Sequence, residues 1–225
     1  MAGRNIFLRT PIQSAASSVE GASIRVISLK FGLSSQNPMS TARQELLSLL
    51  ARQSFKLGEF KLSSGGTSDY YIDCRTTTLD ARGAQLTGKV FLEEIQARAW
   101  KPQAIGGLTM GADPVAFVTA GVAATRGRML KAFSVRKEAK DHGAGGRIAG
   151  ALDPGDKVVV TEDTVTRGTS LLEAAHAVQF AGAEVVLLVA LVDRGGTVEA
   201  MAADEGLAFR AVLTAPDLGF AYEGA

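Results

Sequence analysis

The chain has 225 residues, the size of one ordinary domain, and its 46% apolar content is enough for a sizeable core. A formal net charge of +1 gives no reason to expect nucleic acid or an acidic membrane surface as a partner. The one cysteine, Cys74, rules out an intrachain disulfide and fits a reducing compartment; with only two histidines a zinc site is not expected, and no apolar run is long enough to span a membrane.

Residues 1–39 stand apart from the rest. They carry Arg4, Arg9, Arg25 and Lys30 against a single acid, Glu20, and are rich in serine. Such a leader reads as a poorly ordered extension, a start upstream of the true one at Met39, or an organelle transit peptide. The folded domain is expected over 40–225. Ser40 or Thr41 caps its first helix, Thr41 and Gln44 having capping-box spacing, with Ala42, Leu46, Leu49 and Leu50 as the apolar stripe. Alternation on both sides of a glycine-serine turn then predicts a hairpin. In its second strand Tyr71 and Asp73 share one face and Tyr70 and Ile72 the other, and packing accounts for one of the two tyrosines.

Asp80 caps a helix expected to run to about residue 99, turning Leu86, Val90, Phe91 and Ile95 inward. Residues 104–107 form a short strand ending in glycines. In the turn that follows, Asp113 is the expected cap and Pro114 suits the first helical turn. This turn is either simply tight or a place where backbone approaches a ligand. After a strand at 131–135 comes R-K-E-A-K-D-H-G-A-G-G-R, residues 136–147, without apolar periodicity. It is either a solvated surface loop or a mobile lid that carries cations to phosphates.

Residues 158–170 read V-V-V-T-E-D-T-V-T-R-G-T-S. A β-branched run predicts a buried parallel strand, with Glu162 and Asp163 just past its end. Thr166, Arg167, Gly168 and Thr169 make a small-residue turn, and Ser170 is the expected N-cap of a helix over 171–180. Strand, acids, hydroxyl-bearing turn and helix start build a phosphate cradle, because the first N–H groups of a helix are unpaired and carry partial positive charge. Carboxylates repel phosphate, so sugar hydroxyls or a metal-bound water are their partners. A buried strand at 185–192 ends in Asp193-Arg194-Gly195-Gly196. Arg194 either offers its planar fork to a carboxylate or forms a surface ion pair with Asp193. Residues 206–213 supply a last strand, and the tail from Asp217 carries no signal. Strands alternating with helices predict an α/β fold with a mainly parallel twisted sheet.

Residues 158–170 resemble the phosphoribosyl-pyrophosphate (PRPP) motif of the type I phosphoribosyltransferases. The stretch L-G-E-F-K-L-S-S-G-G-T-S-D-Y-Y at 57–71 and the R-K-E-A-K-D-H-G loop are similar to the hood and lid of the orotate phosphoribosyltransferases. Many members of that family carry lysines where Ser63 and Met110 stand here. The resemblance implies the type I fold, a mainly parallel sheet flanked by helices, under a small N-terminal hood at about 40–75. It implies transfer of phosphoribose from PRPP to orotate, giving orotidine 5′-monophosphate and pyrophosphate in pyrimidine (UMP) biosynthesis.

By the same resemblance, Lys140, Glu162 and Asp163 are the catalytic residues. Arg136, Lys137, Lys140, His142, Glu162, Asp163, Thr164, Val165, Thr166, Arg167, Gly168, Thr169 and Ser170 bind PRPP, and Thr166, Arg194, Tyr71 and Ile72 meet orotate. Mg2+ is implied, held mainly by PRPP and water, as is a cytoplasmic homodimer whose lid acts on the neighbouring subunit's site. The alternatives are a phosphoribosyltransferase for another base and a regulator that binds PRPP without turnover.

Overall fold

In the computed structural model, residues 40–61, 67–97, 100–139 and 146–223 are described. The leader at 1–39, Ser63, Lys140 and His142 lie outside them. Helix α1 (Thr41–Gln53) leads into a hairpin of β1 (Phe55–Lys61) and β2 (Thr67–Ile72), a short turn of helix α2 (Arg75–Thr78) and α3 (Ala81–Gln96). Then come β3 (Ala104–Leu108), α4 (Ala112–Thr125), β4 (Lys131–Val135), β5 (Ile148–Gly150), β6 (Lys157–Val165), α5 (Thr169–Phe180), β7 (Glu184–Asp193), α6 (Val198–Asp204) and β8 (Phe209–Thr214). A 3-10 turn, Pro216–Leu218, begins the tail.

The main sheet has the order β5-β4-β3-β6-β7-β8. All its pairs are parallel except the edge pair of β5 with β4. The apolar runs in β6 and β7 belong to strands covered on both faces. Their side chains alternate: Val159, Leu187, Val189 and Leu191 join the core under α1, α3 and α4, while Val158, Val160, Leu188 and Ala190 join the core under α5 and α6. The chain runs outward from β3 to β4 and β5, then returns to lay β6 on the other side of β3. That reversal opens a crevice beyond the C-terminal ends of β3 and β6, the place where open α/β sheets take ligands.

Ser40 caps α1, its hydroxyl accepting the Arg43 N–H, so the cap is Ser40 rather than Thr41. Asp80 caps α3 as expected, and Leu86, Val90, Phe91 and Ile95 are buried. The hairpin is a separate two-stranded sheet. Ser68, Tyr70 and Ile72 alternate inward along β2. Tyr70 lies in an aromatic stack with Phe55 at 5.6 Å and, from the chain end, Phe220 at 4.2 Å between ring centroids.

Three local expectations need correction. β6 does not stop before the acids: it continues through Glu162 and Asp163 to Val165, because β7 pairs with it as far as Val165 opposite Asp193. Helix α5 is entered from Gly168, not capped by Ser170. Gly168 has φ +75°, a left-handed conformation that disfavours any side chain, and a Cβ there would sit 3.0 Å from Val198. Helix α4 likewise starts after Gly111, which leaves Asp113 and Pro114 inside its first turn.

Candidate active site

Two adjoining cavities, of about 680 and 650 Å3, open at this rim and share Tyr71, Thr164 and Ser170. The first is lined by the end of β2, the β3–α4 turn and the acids of β6. The second is lined by the β6–α5 turn, Arg194 and Glu223.

In the first cavity Glu162 is buried and Asp163 half-buried. The acids are tied to the backbone: the Asp163 N–H donates to Glu162 Oε1 at 3.0 Å and the Thr164 N–H to Asp163 Oδ1 at 2.7 Å. Burial, then the charge of Asp163, pushes Glu162 up to about 8, and burial raises Asp163 as well. Burial and the neighbouring carboxylate therefore favour the protonated form of Glu162. The β3–α4 turn is pressed onto them. A Cβ at Gly111 would lie 2.4 Å from Glu162 Oε1 and 2.6 Å from Asp163 Oδ1, so only glycine fits there without moving the acids. Within the turn, Thr109 donates to Asp113 at 2.6 Å. Met110 is exposed on the cavity wall.

Sequence reasoning missed Arg75, which lines the same cavity. It grips Asp73 in a two-pronged pair, Nε to Oδ1 at 2.8 Å and Nη2 to Oδ2 at 3.0 Å. That hydrogen bonding holds the Asp73 carboxyl below its ordinary range. The signal was present in Asp73-Cys74-Arg75, where the hairpin strand hands an acid and a base to the sheet's rim. Cys74 itself is buried against the Thr164 hydroxyl at 3.3 Å, and burial pushes its thiol up, away from reactivity.

In the second cavity Arg167, Thr169 and Ser170 are exposed at the start of α5, and Gly168 is buried beneath them. With the unpaired N–H groups of the first helical turn, this is an open anion cradle. Thr166 holds the turn to the next loop by accepting from Thr197 at its carbonyl, 3.2 Å away. Val165 faces the core and accepts the Arg194 N–H at its carbonyl, at 2.8 Å.

Arg194 is not a surface residue paired with Asp193. Asp193 instead accepts the N–H groups of Gly195 and Gly196, both at 3.0 Å, and shapes the turn. Arg194 is buried, lies 4.7 Å from the centre of the Tyr70 ring and pairs with Glu223 in the tail, Nη2 to Oε1 at 2.5 Å. Glu223, from a stretch without any sequence signal, is the second residue that was missed. Burial raises the Tyr70 phenol, with the Arg194 cation pulling the other way.

The sequence-predicted residues are therefore brought together unevenly. Tyr71, half-exposed, reaches both cavities and leans on Phe60 at 5.6 Å between ring centroids, while Ile72 lines the first from the core side. Lys137 reaches the first cavity. Arg136 does not line either; its backbone pairs with Arg147, N–H to O at 2.7 Å, with the Arg147 Nε returning a bond to the Arg136 carbonyl at 2.7 Å. These two residues tie together the two ends of the stretch 136–147. Among the described residues no group of three or more histidines, cysteines and acids is placed to hold a metal ion, and no helix is long and apolar enough to cross a membrane.

No family model matches the chain. Individual relatives do. An orotate phosphoribosyltransferase from Corynebacterium glutamicum is 44% identical over 187 residues, covering 83% of this chain and 99% of the relative. One from Mycobacterium tuberculosis is 46% identical over 178 residues, covering 79% and 96%. The crystal structure of the M. tuberculosis enzyme in complex with PRPP superimposes with a TM-score of 0.66 at 40% identity, covering 80% of this chain and 99% of that one.

Proposed function

The chain belongs to the orotate phosphoribosyltransferase family, the enzymes that make orotidine 5′-monophosphate and pyrophosphate from PRPP and orotate, and on that premise we propose how its residues divide the work. The observation that carries the assignment is the meeting, at one switch-point rim, of a buried acid pair, an open helix-start cradle and a buried arginine. The reaction displaces pyrophosphate from the ribose C1 by the base nitrogen, through a sugar with developing positive charge. No covalent nucleophile on the protein is needed; positioning, charge compensation and exclusion of water do the work.

Residues 166–170 hold the 5′-phosphate on the N–H groups and hydroxyls that open α5. Glu162 and Asp163 take the ribose 2′- and 3′-hydroxyls. They stabilise the sugar as it becomes cationic, because a nearby positive charge favours the ionised carboxylate. Lys137 and the lid residues Lys140 and His142 neutralise the departing pyrophosphate. Arg136 acts from the tied end of the lid. Arg75 adds a cation on the wall where Met110 offers none. Arg194 binds the carboxylate of orotate, with Thr166, Tyr71 and Ile72 around the ring.

The acid and hydroxyl oxygens of the first cavity, from Glu162, Asp163 and Thr164, suit a hard cation that keeps its water and substrate ligands. Bound Mg2+ would supply charge compensation to the pyrophosphate oxygens, and Glu162 and Asp163 would meet it through water. The enzyme works in the cytoplasm as a homodimer whose lid closes over the neighbouring subunit's site. Purified protein mixed with PRPP, Mg2+ and orotate should consume orotate absorbance, with adenine, hypoxanthine and uracil inert. Pyrophosphate release with another base alone would overturn the substrate, and PRPP binding without turnover would favour a regulator.

A further inference from the structure

We propose that Glu223 sets the enzyme's selectivity for a carboxylate-bearing base, by occupying in the free enzyme the guanidinium that the substrate's carboxylate must take. The proposal rests on the assignment of Arg194 to the base. The side chains of Arg194 and Glu223 are 8% and 12% exposed, so this ion pair is largely out of water. A second carboxylate cannot join it cheaply, because a buried like charge would face Glu223 with little solvent to screen it. One carboxylate must leave before the other binds.

The geometry makes Glu223 the replaceable one. A guanidinium offers a carboxylate two parallel N–H groups, and the two-pronged pair is the strong form. Glu223 uses one prong only, with Oε1 on Nη2; the Ser68 hydroxyl donates to the same oxygen. Arg194 Nε and Glu223 Oε2 are buried without a hydrogen-bond partner among the described residues. A free planar carboxylate can satisfy the Nε prong that the tethered one leaves open. A base without a carboxylate gains nothing from Arg194 and leaves the pair shut.

The tail is built to deliver this one group. The Glu223 N–H donates to the Arg194 carbonyl at 2.8 Å. The ring of Tyr222 lies on Gly196, where a Cβ would be 2.8 Å from it, and Phe220 stacks on Tyr70. When the carboxylate swings away, the aromatic anchor one and three residues earlier can stay seated.

The test compares Glu223→Gln, Glu223→Ala and Arg194→Ala in steady-state kinetics, with hydrogen exchange of the tail amides in the native enzyme. Both Glu223 variants should lower the orotate KM with the PRPP KM unchanged. The expected factor is about tenfold if the seated tail holds about nine-tenths of the free enzyme. Saturating orotate should speed exchange at the Glu223 amide. An unchanged or raised orotate KM in both Glu223 variants, or slower exchange with orotate, would make Glu223 a support for Arg194 and overturn the proposal. If Arg194→Ala leaves the orotate KM unchanged, the assignment of Arg194 itself falls; if it raises the KM while the Glu223 variants do nothing, only the role of Glu223 falls.

Discussion

The two cavities solve opposite electrostatic problems. The first gathers like charges, Glu162 and Asp163, neither of which forms a salt bridge among the described residues, while Arg75 on the same wall is paired with Asp73. The second holds opposite charges already married, Arg194 with Glu223. The first is costly when empty and is relieved by a ligand that brings positive charge or hydroxyl donors. The second is comfortable when empty and must be opened by a ligand that competes. One lobe is thus primed by repulsion and the other guarded by attraction, and substitutions should separate them.

The largest effect is expected in the R-K-E-A-K-D-H-G stretch that follows β4. Lys140→Ala should lower kcat about a hundredfold or more while PRPP affinity falls far less, as for a charge that matters most when pyrophosphate departs. Equal losses in both would assign Lys140 to ground-state binding. In the second lobe, Arg194→Ala should raise the orotate KM about thirtyfold, roughly 2 kcal/mol, with the PRPP KM near native.

The lobes should also differ in stability. Folding raises the Glu162 carboxyl from its ordinary value to about 8, so the folded state prefers the protonated form. Above the ordinary value the unfolded chain has released that proton while the folded chain keeps it. This group therefore erodes stability as pH climbs from about 5 to 8. Glu162→Gln should raise thermal stability at pH 8 by about 1–2 kcal/mol and lose most of that gain by pH 5, while turnover collapses. A variant no more stable than native at pH 8 would mean that the acid pair is not strained. The smallest effect belongs to Arg75→Ala. Its side chain is 42% exposed and already paired, so a rise of about threefold in the pyrophosphate inhibition constant is expected, measured by product inhibition.

The elements were legible where chemistry is local. The β-branched run of β6, the Asp80 cap and the stripe of α1 each declare themselves within a few residues. The phosphate turn did too, although its cap was misread. A serine before an apolar run looks like an N-cap, but the chain needed a left-handed residue two positions earlier, and only the packing of Val198 makes that plain. The strand was read short because Glu162 and Asp163 look like strand-enders. Pairing with β7 overrides their preference. Glu223 was illegible for a different reason. Its meaning lies in a partner 29 positions away and in a hairpin serine 155 positions away, and no period or motif encodes such a meeting.

The stack of Phe220 on Tyr70 and Phe55 has a consequence for how the protein is born. One of its rings is made after the last strand of the sheet, the other two near the start of the domain. A nascent chain emerging at roughly 5–20 residues per second holds the early hairpin for several seconds before its clasp exists. Closing so distant a contact is the slow, entropically costly part of assembly. The hairpin's aromatic face must stay unclasped through most of translation, and the second lobe can take its final shape only in a chain whose synthesis has reached the tail.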